Sequence, residues 1–324
     1  MAFIFNSNSV MKIKNLFCAV SAVALIVMMG SCGSGGPKNQ GNSDSVKIAV
    51  DETFRLIMDE EMKQFNLNHP EATLDATYCN ESRALQMFLD DSVRLCLATR
   101  RLTDKEKEVL LAKQLNVMTA RVATDAIALI VNRSWPDSLI SAQDVMRIVS
   151  GKITKWDQLS YAQSKGDIDI VFDNPQSSTV RYVEDSILGG KAMSGNVHAQ
   201  KTNEAVIEYV TKTPGAIGVV GVDWLRNEKD TTNLSFRPDV RVMSVSRSSV
   251  PDRGNSYKPF QAYIATGDYP FVRAVFVMTS DPAMQSMTRY FYHFLRDQKG
   301  QLIITKSSQL LPYMQVQFKE VTIN

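Results

Sequence analysis

The pattern of apolar and polar positions changes its period twice between Asp125 and Leu159, and each change predicts an element. Ile127–Val131 is an unbroken apolar run that is too short for a helix. We therefore expect a strand with both faces buried, as in a parallel sheet covered by helices. Ser141 suits the amino-terminal cap of the helix that follows, and Gly151 suits its left-handed end. The segment Asp125–Leu159 is therefore predicted to form a strand, a turn and a helix that ends near Gly151.

Similar strand and helix patterns alternate along the rest of the chain. Strands are predicted at Val46–Val50, Ala72–Tyr78, Leu95–Thr99 and Ile168–Phe172, and helices from Thr53 and at Ser82–Leu89, Val180–Leu188, Ala205–Lys212 and Met287–Leu295. Thr103 and Glu106 have the spacing of a helix capping box. Such alternation predicts an α/β fold with parallel strands joined by right-handed crossovers. Ligands of these sheets lie at the carboxyl ends of the strands, where Thr53, Thr99 and Arg100 fall.

The order of these patterns predicts a second lobe inserted into a first. We expect residues 46–124 and 234–324 to form the first lobe and residues 125–233 to form the inserted lobe. The apolar segment Arg241–Val245 is expected to return the chain to the first lobe.

The amino-terminal segment has the pattern of a targeting sequence. Lys12 and Lys14 precede the apolar run Leu16–Met29, which is shorter than the roughly 20 residues that span a bilayer. The sequence Met-Gly-Ser-Cys at positions 29–32 is typical of a lipoprotein cleavage site. We expect a signal peptide at 1–31, lipidation of Cys32 and a flexible tether at 32–45, which would anchor the domain in the extracytoplasmic (periplasmic) envelope. The alternative is an ordinary secretory signal.

Composition narrows the possible partners. The chain has 36 basic and 34 acidic residues, and loss of two lysines with the signal leaves 36 − 2 = 34 of each. A neutral surface disfavours nucleic-acid binding. Cys79 and Cys96 remain, and we expect two buried thiols on strands that flank the first strand, with a disulfide as the alternative. The three histidines are too scattered to suggest zinc, and we expect no metal and no cofactor.

Several phrases occur in the same order as in a known family. They are Thr53-Phe54, Ala-Thr-Arg-Arg at 98–101, Asp-Ala-Ile-Ala at 125–128 with Ser-Gly-Lys-Ile-Thr-x-Trp at 150–156, Ser177-Ser178-Thr179, the segment PGAIGVVGVDWL, and Tyr269–Arg273 with FYHFLRDQKGQLIITKSSQLLPY. Together they resemble the phosphate-binding receptors that feed ABC transporters, and the last two phrases resemble the closing helices of that family. The resemblance implies a two-lobed, class II periplasmic-binding-protein fold with two hinge crossings that closes around its ligand.

The candidate ligand residues lie at three predicted helix starts. Helix amino termini supply oriented N–H groups and a favourable dipole for an oxyanion, and an arginine can meet two of its oxygens. With the resemblance, we expect ligand contacts from Thr53, Thr99, Arg100, Ser177, Ser178, Thr179 and Arg181. The alternative is that Ser177 and Thr179 only cap a helix.

One departure from the family pattern affects the expected selectivity. The family carries an arginine, and two residues later an aspartate, before its Ser-Gly-Thr motif. The corresponding positions here are Asp173 and Pro175, and Ser178 replaces the glycine. Arg100 and Arg181 are candidates to restore positive charge, and Asp51 or Glu52 to accept the ligand proton. Because Pro175 offers no acceptor, we expect weaker discrimination between phosphate and sulfate.

These observations predict a lipid-anchored, monomeric solute receptor that is not an enzyme. It would bind phosphate or a related oxyanion, deliver it to an ABC permease and touch the membrane only through its lipid. One alternative is a receptor-like sensor or accessory envelope protein that has lost transport. A phosphoryl-processing hydrolase is less favoured, because no nucleophile elbow surrounds Ser177 and no metal-ligand cluster occurs in the sequence.

Overall fold

The structure, a computed structural model, describes residues 45–314 and shows a mixed α/β protein. The strands are β1 Ser45–Asp51, β2 Thr73–Cys79, β3 Leu95–Ala98, β4 Met118–Asn132, β5 Leu139–Ser141, β6 Asp169–Phe172, β7 Val197–Ala199, β8 Ala216–Gly221, β9 Val240–Val242, β10 Ser244–Ser246, β11 Ser256–Tyr257, β12 Val272–Thr279 and β13 Leu311–Pro312. The helices are α1 Arg55–Asn68, α2 Glu81–Leu89, α3 Asp104–Ala112, α4 Ala142–Val149, α5 Ser178–Tyr182, α6 Asn203–Lys212, α7 Gln261–Thr266, α8 Met287–Phe294 and α9 Gln298–Ser307. The predicted signal peptide and Cys32 lie outside the described residues.

The local start and stop patterns of the sequence are confirmed. Ser141 Oγ accepts the backbone N–H of Asp144 at 2.9 Å and caps α4, and Gly151 has a left-handed φ of 73° shortly after that helix ends. Thr103 and Glu106 form the predicted capping box of α3. None of the helices within residues 45–314 is long and apolar enough to cross a membrane.

The main sheet is only partly parallel. Its strand order is β2-β1-β3-β12-β4-β8-β6-β7, and β1 is parallel to both of its neighbours. The strand that contains Ile127–Val131 is β4, which is 15 residues long and antiparallel to β12 and β8. The expectation of a parallel strand there was wrong. Its run of buried residues arises because side chains of both faces enter apolar clusters.

Strand β4 joins two halves of this sheet. Its residues up to Ala126 pair with β12, those from Ile127 to Ile130 pair with β8, and its end pairs with β9. We call β1–β3, β12 and the beginning of β4, with their helices, half A. The end of β4 with β6–β9 and the helices between them, including α5, is half B.

The chain returns to half A later than the sequence suggested. Strand β9 pairs with the end of β4 in half B, and β10 pairs with β5, the short strand that follows β4, in a separate three-stranded sheet. Arg241–Val245 therefore does not join half A, and the return occurs at β12. The phrase Tyr269–Arg273, which resembled a closing helix, leads into that strand. Long-range strand pairing decides this position, and the local pattern does not report it.

The two cysteines are on opposite sides of β1, as predicted. Cys79 pairs in register with Asp51 on one edge, and Cys96 pairs with Ala49 on the other. Both are free thiols, but only Cys96 is buried; Cys79 is half-buried, so the expectation of two buried thiols was wrong for Cys79. Burial raises the pKa of each thiol above its usual value, which disfavours the reactive thiolate.

Glu61 on α1 is an unpartnered carboxyl group in an apolar environment. It is 1% exposed, and neither of its oxygens has a hydrogen-bond partner within the described part of the chain. It lines a cavity of about 20 Å³ with side chains such as Met58, Leu97 and Ile304. Burial, and to a lesser extent the charge of Glu60, raises the pKa of Glu61 well above its usual value.

We expect Glu61→Met to raise the free energy of unfolding by roughly 1–3 kcal/mol at pH 8 and by less at pH 4. The raised pKa means that stability is fully present below the unfolded pKa of about 4.5 and is lost as pH rises through the folded pKa. Urea unfolding of both proteins from pH 4 to 8 measures the difference. Glu60→Gln, a less buried neighbour, is the control. Parallel pH profiles of wild type and Glu61→Met would contradict the assignment.

Candidate functional site

The carboxyl end of β1 and the start of α5 meet in the interior. Asp51 and Thr53 are each 1% exposed, and Ser178 and Thr179 are fully buried. Asp51 Oδ1 accepts the backbone N–H of Thr53 at 3.1 Å, which fixes the turn that follows β1. Ser177 Oγ accepts the N–H of Val180 at 3.1 Å and caps α5. The loop after β1 in half A and the start of α5 in half B thus both carry buried hydroxyl groups.

Arg273 on β12 connects these loops to the joint strand. Its Nε donates to Asp125 Oδ2 at 2.8 Å, and its Nη1 donates to Ser178 Oγ at 2.9 Å. The side chain is 4% exposed, and its guanidinium carbon lies 5.7 Å from the centre of the Phe54 ring. Sequence reasoning did not single out Arg273 as a ligand residue. The signal that could have identified it is a lone arginine within the otherwise apolar strand VRAVFVMT.

Four buried polar atoms of Arg273 and of the loops that contain Asp51, Thr53 and Thr179 lack a hydrogen bond of regular geometry among residues 45–314. Thr53 Oγ1, Thr179 Oγ1 and Arg273 Nη2 are able to donate, and Asp51 Oδ2, to which the Ser178 side chain is close, is able to accept. Buried polar groups are nearly always paired in native proteins, so this concentration requires an explanation. We call Asp51, Thr53, Ser178, Thr179 and Arg273 the Arg273 cluster.

The carboxyl groups of Asp51 and Asp125 have raised pKa values. Burial raises the pKa of Asp51 to about 7; the charge of Glu81 adds to the rise, while Arg273 and Ser178 oppose it. Burial also raises the pKa of Asp125 despite its ion pair with Arg273. For Arg273, burial acts to lower the pKa, but Asp125 and Asp51 hold it above its usual value. The guanidinium therefore stays charged, and Asp51 changes protonation near neutral pH.

Thr99 and Arg181 lie in a second group around Glu81. Thr99 N and Oγ1 each donate to Glu81 Oε1 at 2.7 Å, and Arg181 Nε donates to Glu81 Oε2 at 2.6 Å. Arg181 Nη2 also donates to Thr99 Oγ1 at 2.7 Å. We call these three residues the Glu81 cluster. They bond to one another, and their predicted contact with a ligand stays a prediction.

The other candidate residues have hydrogen-bond partners of their own. Arg100 donates to both oxygens of Glu106, at 2.7 and 2.8 Å, and is thereby tied to α3. Ser177 caps α5, and its predicted contact with a ligand stays a prediction. Glu52, considered as a proton acceptor, accepts a hydrogen bond from Asn203 at 3.0 Å. Of the predicted ligand residues, Ser178 thus bonds directly to Arg273, whereas Arg100 bonds to Glu106.

Strand β8 supports the Thr53 loop from half B. Trp224 Nε1 donates to the backbone oxygen of Thr53 at 2.9 Å. Gly221 packs so closely that a Cβ atom there would lie 2.4 Å from Thr53 Cγ2. The backbone N–H of Val222 donates to Asp125 Oδ1 at 3.3 Å. The absence of a side chain at Gly221 is therefore required for Thr53 to keep its position.

An α/β protein with one long strand shared by two sheet halves, and buried hydroxyls and a guanidinium where those halves meet, is typical of solute-binding proteins. Residues 35–298 match the PBP superfamily domain. The chain belongs to this family.

The relatives whose function is named are distant in sequence. The chain is 23% identical over 291 residues to the phosphate-binding protein PstS of Staphylococcus aureus (strain USA300), covering 88% of this chain and 84% of that protein. Among solved structures, it matches a putative phosphate ABC transporter substrate-binding protein with bound phosphate from Clostridium perfringens, with a TM-score of 0.69 and 19% identity, covering 83% of this chain and 100% of that one. An ABC-type phosphate transport receptor from Vibrio cholerae matches with a TM-score of 0.62 and 18% identity, with coverages of 83% and 100%. These structures show the shared fold, and the proteins are named as binding proteins rather than enzymes.

Proposed function

We propose that this protein is an extracytoplasmic receptor that binds phosphate or a related protonated oxyanion and delivers it to an ABC permease. The observation that carries the proposal is the set of unpartnered buried atoms in the Arg273 cluster. Three of these atoms are able to donate hydrogen bonds and one carboxylate oxygen is able to accept. A protonated oxyanion has the complementary groups, because it offers several acceptor oxygens and one O–H donor.

The charge of Arg273 makes this cluster suitable for an anion. A buried guanidinium with a free N–H forms a charge-assisted hydrogen bond, which is stronger than a neutral one. In its ionised form, Asp51 would accept the proton of hydrogen phosphate at Oδ2 and repel the fully ionised oxygens of sulfate. Weak discrimination between phosphate and sulfate was expected because Pro175 offers no acceptor. Since Asp51 offers an acceptor from a different loop, we now propose that the site prefers phosphate to sulfate.

We further propose that the two sheet halves are lobes that close around the ligand. Their crossings would lie at Ala126–Ile127 in β4 and at the entry to β12, where strand pairing changes from one half to the other. The lipid anchor at Cys32 and the tether at 32–45 complete the proposal. They are supported by the sequence pattern of the amino terminus.

One observation favours a sensor or accessory protein as the second candidate. Asp51, Asp125, Asp173 and Glu81 are all buried in this region, and among residues 45–314 Arg273 forms an ion pair with Asp125 and Arg181 with Glu81. Such an excess of carboxyl groups opposes the binding of an anion. The two candidates differ in one measurable property, which is affinity for a free oxyanion.

Isothermal titration of the purified protein with phosphate, arsenate, a phosphonate and sulfate tests the proposal. We expect phosphate to bind at least about tenfold more tightly than sulfate, and phosphate at 100 times its Kd to add about 2.7 kcal/mol of stability. Thr53→Val and Thr179→Val should each raise the Kd for phosphate about tenfold, because each removes one hydroxyl. Asp51→Asn should reduce the preference for phosphate over sulfate.

Thr119→Val is the matched control, because Thr119 is an exposed threonine on β4. It should leave the Kd for phosphate unchanged. If none of the four anions binds or raises the melting temperature, the oxyanion proposal fails and the sensor or accessory candidate replaces it.

A further inference from the structure

The Glu81 cluster spans the two halves of the sheet. Glu81 begins α2 and Thr99 follows β3, so both belong to half A, whereas Arg181 is on α5 of half B. Arg181 makes three hydrogen bonds across the boundary: Nε to Glu81 Oε2 at 2.6 Å, Nη2 to Glu81 Oε1 at 3.3 Å, and Nη2 to Thr99 Oγ1 at 2.7 Å. Its Nη1 donates to Asp185 Oδ2 at 3.2 Å, within half B, which orients the guanidinium.

Burial makes this contact strong. The side chain of Glu81 is 3% exposed, and that of Arg181 is 33% exposed. Burial would raise the pKa of Glu81, but the hydrogen bonds and charge of Arg181, with the donors of Thr99, hold it below its usual value. Separation of the halves would leave Glu81 without its counter-charge in the neighbourhood of Asp51. Loss of one partner from a buried ion pair is strongly unfavourable.

We propose that Glu81, Thr99 and Arg181 form a clasp that holds the two halves closed and thereby sets ligand affinity without touching the ligand. The three side chains bond to one another, so their role is positioning. The clasp stabilises the binding-competent form, which lowers the apparent Kd and slows dissociation. The inference rests on the proposed function for its ligand measurements, but its structural measurement needs no ligand.

The experiment compares Glu81→Gln, Arg181→Gln and the double variant with wild type. Stopped-flow and titration measurements with phosphate give the Kd and the dissociation rate, and small-angle X-ray scattering without ligand gives the radius of gyration. We expect each single variant to raise the Kd about tenfold, mainly through faster dissociation, and to increase the ligand-free radius of gyration. The double variant should lose no more than either single variant, because the pair acts as a unit.

The chain offers a matched control in Arg94 and Asp91. Arg94 Nε lies 2.8 Å from Asp91 Oδ1 and Nη2 donates to Oδ2 at 2.9 Å, with side-chain exposures of 36% and 29%, and both residues lie between α2 and β3 of half A. Arg94→Gln should change neither the Kd by more than about twofold nor the radius of gyration. Thr99→Val, which removes one hydroxyl from the clasp, is a milder variant and should give an intermediate effect.

Two outcomes would overturn the clasp. If the losses of affinity in Glu81→Gln and Arg181→Gln add in the double variant, Arg181 contacts the ligand directly. If the ligand-free radius of gyration is the same in wild type, Arg181→Gln and Thr99→Val, the contact does not hold the halves together. Should wild type bind no phosphate, the proposed function fails, and the scattering comparison still decides the clasp.

Discussion

Replacement of Arg273 by methionine is expected to abolish phosphate binding and to lower the free energy of unfolding by about 3–5 kcal/mol. Arg273 supplies the charged group of the proposed site, and its loss leaves the Asp125 carboxylate, which is fully buried, without a counter-charge. Titration with phosphate measures the first effect, and denaturant unfolding measures the second.

A double variant separates binding from stability. Arg273→Met with Asp125→Asn removes both charges and keeps an acceptor for the N–H of Val222, so it should recover most of the lost stability while still failing to bind phosphate. Arg101→Met is the single-site control, because Arg101 is exposed and packs over the Phe276 ring; it should change stability by less than about 1 kcal/mol. Unchanged phosphate affinity in Arg273→Met would exclude Arg273 from the site.

Gly221→Ala is expected to weaken phosphate binding at least tenfold and to destabilise the protein by about 1–3 kcal/mol. The backbone of Gly221, at φ −66° and ψ 143°, accepts any residue, so strain is not the cause. The cause is the added methyl group, which would lie 2.4 Å from Thr53 Cγ2. Thr53 must then move, and its hydroxyl leaves the Arg273 cluster.

Because the clash involves Thr53 Cγ2, a second substitution that removes this atom should compensate for Gly221→Ala. Thr53→Ser removes Cγ2 and keeps the hydroxyl, so Gly221→Ala with Thr53→Ser should regain both stability and phosphate affinity. Thr53→Val keeps a methyl group at that position and should not rescue Gly221→Ala. Equal phosphate affinity in Gly221→Ala and wild type would show that the position of Thr53 does not matter for binding. Titration and unfolding of wild type and the three variants provide the comparison.

Local features of this protein followed from neighbouring residues. Ser141, Thr103 and Ser177 cap helices whose N–H groups lie three residues further on, and these caps could be read from spacing. The position of Cys79 and Cys96 on either side of β1 followed from the order of the first strands. The direction of β4 did not follow, because its partners β12 and β8 occur much later in the chain.

The candidate site also contains some residues that the sequence indicated and others that only the structure identified. The sequence indicated hydroxyl groups at helix starts, including Thr53, Ser178 and Thr179, since cap residues and short motifs are local. It did not indicate that Arg273 would join them, or that Arg181 would bond to Glu81.

By itself, therefore, the sequence determined the caps, most of the elements and the family resemblance, all of which depend on residues close together in the chain. Only the tertiary structure decided the partners of the buried charges. Arg273 and Asp125 are 148 residues apart, and Arg181 and Glu81 are 100 apart. A charge that leaves water requires a counter-charge nearby in space, and this requirement has no period or spacing along the chain.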